Sequence, residues 1–189
     1  MSTFSAVFDW RRPSQRVWID CSCVNPSDEL DHACHAFLKR GFSVAVLDDC
    51  PGALISNISI VENLWLPRAW HRDTSMSRFR DRLGRLVSDL TPRLPEASPD
   101  LSELLDCRPA ELSSQQRRLV VFMRVVLINP EIVLLSPSWV SCLVDSSGEV
   151  LLKMMHLFLS DASWLAFDAL EPNLDGLSTG WARTQVLSL

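Results

Sequence analysis

Cysteine and histidine spacing offers the first test for chemistry in this 189-residue chain. Cys21, Cys23, His32, Cys34, His35 and Cys50 all lie in its first third. Their pattern is C-x-C followed by H-x-C-H. Zinc sites use wider pairs, C-x2-4-C or H-x3-5-H, which let two ligands reach one tetrahedral ion. The pattern therefore predicts no metal site. A nucleophilic enzyme needs a Cys or Ser activated by a neighbouring base. The four histidines are His32, His35, His71 and His156, and no G-x-S-x-G elbow accompanies them. His71 sits in a polar Trp-His-Arg run; His156 lies in an apolar helical run, where a satisfied core role is expected.

Composition narrows the classes further. Apolar residues make up 47% of the chain, enough for a globular core. The net charge is −5, and basic residues are scattered apart from short clusters at 78–85 and 117–118. That leaves no electrostatic footprint for nucleic acid. No apolar run reaches the length of a membrane span; the longest, 119–128, is broken by Arg124. The opening MSTFSAVFDWRR has no basic region followed by an apolar one, so no signal peptide is expected. A cytosolic location with reduced thiols is the expectation. Seven tryptophans occur with no tyrosine. Trp65, Trp70, Trp139 and Trp181 fall in or beside polar stretches, which suits either an interface or local packing.

The elements that would position chemistry alternate in type. Residues 16–21 alternate around Val17, Trp18 and Ile19, as a strand does. A helix follows, with Asn25 as cap and Pro26 at its first position. Leu30, Cys34, Phe37 and Leu38 share its apolar face, and Lys39-Arg40-Gly41 ends it. FSVAVL at 42–47 reads as a buried strand, completing the strand–helix–strand unit of a parallel sheet. Residues 58–105 are helical and mixed-polar, with Pro67, Pro92, Pro95 and Pro99 as breakers. A buried helix is predicted over 113–128, opened by a Ser113/Gln116 capping box. EIVLL at 131–135 is a short buried strand, 150–159 an apolar helix, and 163–167 a further strand. The last twenty residues are weakly patterned.

One stretch carries a motif. Residues 109–138 read PAELSSQQRRLVVFMRVVLINPEIVLLSPS. This resembles the ABC-transporter ATPase cassette: a signature LSGGQ, a helix, then P-E, four apolar residues and D-E. Leu112, Ser113 and Gln116 match the signature, Arg124 the arginine usual in that helix, and Asn129-Pro130-Glu131 the turn into the Walker B strand. A second stretch, GALISNISIVENLWLP at 52–67, resembles the segment after the family's Q-loop. That run is closest to the lipid-transport (Mla/Mce-type) ATPases. The resemblance implies an α/β fold: a truncated P-loop NTPase (RecA-like) cassette with a mainly parallel sheet and an inserted helical subdomain. It implies a single cassette-like domain over 1–189, with the RecA-like core at 1–57 and 106–189 and the helical subdomain at 58–105.

The residues that ATP chemistry requires are replaced. A phosphate-binding loop offers glycines, a lysine and backbone N–H groups at a helix N-terminus. Here the first strand-to-helix turn reads CSCVNPSDE, with no glycine and no lysine. Pro26 removes a donor, and Asp28 and Glu29 put negative charge where phosphates would sit. A like-charge pair at 4 Å costs about 4 kcal/mol at an effective dielectric near 20. At the Walker B position Ser136 and Pro137 replace Asp and Glu, followed by Ser138. Asp49 or Cys50 stands where the Q-loop glutamine belongs, and Phe167 or Asp168 where the switch histidine belongs. In the signature, Ser114 and Gln115 replace the glycines that let backbone approach phosphate. Dozens of residues are missing before 42 relative to the family's adenine-stacking β-subdomain.

The expectation is a catalytically inactive cassette-like subunit, a structural or regulatory partner of an ABC transporter, possibly one moving lipid. No catalytic residue, no metal and no cofactor of its own are expected; ATP would enter only if shared with a competent subunit. The degenerate signature residues Ser113, Ser114 and Gln116 are the candidate cofactor contacts, although Ser113 as a plain helix cap is also explained. Expected partners are an ABC permease and a competent ABC ATPase as heterodimer. The resemblance implies a location on the cytoplasmic face of the inner membrane, peripheral through the permease. The alternative is an ABC ATPase that keeps weak ATP binding and drives transport.

Overall fold

Strands with apolar residues at every position need cover on both faces, and a parallel sheet supplies it. In the computed structural model, which describes residues 14–49, 54–70, 75–95, 100–144, 148–168 and 181–185 (side chains of 68–70, 144 and 182–185 excepted), five strands pair, and those at 44–47 and 132–135 are apolar throughout. They are β1 (Arg16–Asp20), β2 (Val44–Leu47), β3 (Ile132–Leu135), β4 (Ser163–Asp168) and β5 (Trp181–Gln185). Their order is β2-β3-β4-β1-β5, and every pairing is parallel. The chain separates into two compact units, residues 1–49 with 129–189, and residues 50–128. The second is therefore the entire connection between β2 and β3.

In the sheet unit, α1 (Pro26–Lys39) covers one face. Leu30, Ala33 and Phe37 pack there with Val17, Ile19, Cys21, Ile132, Leu134, Leu165 and Phe167. Asn25 caps this helix, its side chain accepting from the Ser27 N–H, with Pro26 in the first turn. Gly41, at φ +85°, supplies the left-handed turn that ends it. Leu38, expected on the apolar face, is 51% exposed; Ala33 takes that place, one turn before Phe37. Cys34 is half-buried against the same cluster.

The alternate strand residues, including Trp18, Val133, Leu135 and Trp164, point to the opposite face and are also buried. Two helices follow β3: α6 (Pro137–Val144) and α7 (Glu149–Phe158). His156 of α7 lies against Trp164, ring centroids 4.9 Å apart. It is exposed, not a core histidine, because it flanks the indole edge of the sheet rather than the interior. The Arg16 guanidinium stacks over the same indole at 3.6 Å and donates to the Ala162 and Ser160 carbonyls. Burial lowers its pKa to about 10. Of the tryptophans, Trp139 and Trp164 are fully buried, Trp181 stacks near Trp164, and the Trp70 side chain lies outside the described residues.

The second unit is helical: α2 (Ile60–Trp70), α3 (Met76–Leu90), α4 (Leu101–Asp106) and α5 (Ser114–Ile128), with short 3-10 turns after α3 and before α5. Ser59 and Glu62 open α2 as a capping box. Hydrogen bonds from Ser59 hold the Glu62 carboxyl below its usual range. Asn63 is buried and clamps the preceding segment: its Oδ1 accepts the Ile55 N–H at 2.6 Å, and its Nδ2 donates to the Ile55 and Ser59 carbonyls at 3.0 Å. Pro67, expected as a breaker, lies inside α2, close enough to its end that few helical bonds remain to be lost. Asn129 adopts φ 55° after α5, and Pro130 then prevents the helix from continuing.

Gly148 marks the tightest backbone approach in the sheet unit. A Cβ there would overlap the Cys142 carbonyl oxygen. Gly148→Ala is therefore expected to destabilise the protein by about 1–3 kcal/mol, read as a lower urea midpoint with an unchanged slope. An unchanged midpoint would show that the α6–α7 corner relaxes freely.

Candidate functional site

Because the sheet is entirely parallel, the carboxyl ends of its strands share one side. In open α/β sheets, ligands occupy the crevice at those ends, where strand order reverses. Here the reversal is at β1, which sits between β4 and β5 while its helix leads away to β2. The turn from β1 to α1 is Cys21-Ser22-Cys23-Val24-Asn25, and this is the place a phosphate-binding loop would occupy.

Three of the five backbone N–H groups of that turn, those of Cys21, Ser22 and Val24, have partners within the fold. Cys21 N–H donates to the Asp168 carbonyl at 2.8 Å, tying the turn to the end of β4. Ser22 N–H donates to the Asp20 carboxylate at 3.0 Å. Val24 N–H donates to the Cys21 carbonyl, Ser27 N–H to the Asn25 side chain, and Glu29 N–H to the Asn25 carbonyl. Pro26 has none to offer. A phosphate cradle works by leaving such donors free and convergent; most of the donors of this turn and of the start of α1 are engaged.

Its charge has the wrong sign as well. The Cys21 thiol is pushed up to about 12, by burial first and then by the carboxylates of Glu29, Asp20 and Asp168. Those three acids come from different elements, and their charges act together on one buried sulfur. Asp20 is itself only 6% exposed. A thiol held protonated in this way is a poor nucleophile. Among the described residues, no group of three or more His, Cys, Asp or Glu is arranged to hold a metal ion.

The neighbouring strand end carries hydroxyls. Ser136 is buried, and its Oγ lies 2.9 Å from Ser138 Oγ. Ser138 Oγ donates to Asp48 Oδ1 at 3.1 Å, joining the end of β3 to the end of β2. Ser136 Oγ also accepts the Trp139 N–H at 3.3 Å, and Ser136 N–H donates to the Leu47 carbonyl. Pro137 begins α6, where its missing N–H is harmless. Metal-dependent phosphoryl transfer needs a carboxylate for the ion and a group to orient water. Asp48 is the carboxylate in this chain of hydroxyls, and Ser138 already donates to it. The residues present do not fit a nucleotide–magnesium group.

The predicted cofactor contacts lie elsewhere in the chain, at the start of α5. Ser113 N–H donates to Gln116 Oε1 at 2.7 Å, and Gln116 N–H donates to Ser113 Oγ at 3.3 Å. This is the capping box read from the sequence, so both polar side chains are engaged by the helix terminus. Ser114, the first residue of α5, is exposed. Of the replaced elements, Cys50 lies outside the described residues, Asp49 follows β2, and Asp168 ends β4. The Asp20–Glu29–Asp168 convergence and the Asp48–Ser138 bond went unread in the sequence. The only signal for either was an acidic residue at or just past a strand end, which does not say what it meets.

No protein-family model matches the sequence, and no curated protein matches it. Among solved structures, the chain superposes on one described as a metal-chelate type ABC transporter in an inward-facing conformation. The TM-score is 0.55 at 14% identity, over 82% of this chain and 63% of that one. At that identity the likeness shows the fold alone. The α/β architecture is thus a truncated P-loop-like one, with a parallel sheet and a helical insertion. The likeness carries an ABC-related fold and no subtype. This chain spans less than two thirds of the length of its structural relative. No helix among the described residues is long and apolar enough to cross a membrane.

The site's chemistry sets an expectation for thiol labelling. At pH 8, a maleimide is expected to modify exposed Cys23 quickly and to leave Cys21 intact until unfolding, followed by peptide mass spectrometry. Equal labelling of the two would mean that the acidic, buried setting of Cys21 is not maintained in solution.

Proposed function

We propose that this chain is a catalytically inactive ABC cassette-like subunit, a structural or regulatory partner in an ABC transporter. The observation that carries the proposal is the β1–α1 turn, where the Cys21, Ser22 and Val24 N–H groups are already bonded, Pro26 offers none, and the surroundings are acidic. The Ser136–Ser138–Asp48 chain supports it, since Ser136 and Pro137 follow β3 and the Asp48 carboxylate accepts from Ser138. The ABC-related fold supports a transporter setting. The partners would be a permease subunit and a competent ATPase subunit, with the chain held peripherally at the membrane through the permease. Lipid as the transported class follows only the similarity of the 52–67 run to lipid-transport ATPases. The structural neighbour is described as of metal-chelate type, and that cargo belongs to the neighbour.

The competing reading is an ATPase with weak residual nucleotide binding. It leans on Ser113, which is exposed at the start of α5. Its hydroxyl and Gln116 are better explained by the cap they form. Equilibrium binding of labelled ATP with Mg²⁺ separates the two readings. The isolated chain is expected to show no saturable binding in the micromolar range; micromolar affinity would overturn the inactive reading.

The partner half of the proposal has its own test. Used as bait in its native cells, the chain is expected to retain an ABC permease subunit and a competent ABC ATPase in detergent, identified by peptide mass spectrometry. Migration as a lone monomer, with no permease or ATPase retained, would defeat it.

A further inference from the structure

We draw no further inference here: the strongest candidate, the open groove of about 610 Å³ between α2, α3 and α4 that Val61, Glu62, Arg80, Leu83, Val87 and Asp106 help to line, is an apolar face bearing charges of both signs, and nothing in the structure shows what covers it.

Discussion

The parallel ladder through β1, β4 and β3 is the constraint from which the remaining features follow. A strand buried on both faces can satisfy its backbone only through its neighbours. Parallel pairing then fixes all carboxyl ends on one side and forces a long crossover between successive strands. The crossover from β2 to β3 is long enough to be a compact unit in its own right. The same ladder brings Asp20, Asp168, Ser136 and Asp48 to one edge, although they span almost 150 positions of sequence.

What stands at that edge is stable and chemically closed. At the β1–α1 turn the Cys21 N–H is held by the Asp168 carbonyl, the Ser22 N–H by the Asp20 carboxylate and the Ser27 N–H by the Asn25 cap. Acid at the helix N-terminus favours the helix dipole and disfavours a bound anion. The hydroxyl chain from Ser136 to Asp48 links two strand ends that a metal ion would otherwise be asked to bridge.

Several elements were legible because local signals agreed. Asn25-Pro26 opens α1, Ser113 and Gln116 box the start of α5, and Asn129-Pro130 stops it, each through a hydrogen bond or steric block spanning a few residues. Others were not. α6 begins at Pro137 inside what reads as a loop, and β5 lies in the weakly patterned end of the chain, where pairing with β1 rather than alternation makes it a strand. Leu38 and His156 were misplaced for a common reason. Periodicity assigns a residue to a stripe but does not show how far the facing element extends to cover it.

The sequence by itself determined that ATP chemistry lacks its usual residues: no lysine or glycine in 21–29, and Pro137 where a base is required. It also determined helix starts and stops and the alternation of strand and helix, because these depend on neighbours within a turn or two. Only the tertiary structure decided strand order, the convergence of three carboxylates on Cys21, and the bond from Ser138 to Asp48. Those contacts join residues as far as 147 positions apart, such as Cys21 and Asp168, and parallel pairing sets them through backbone register rather than through any pattern in the side chains.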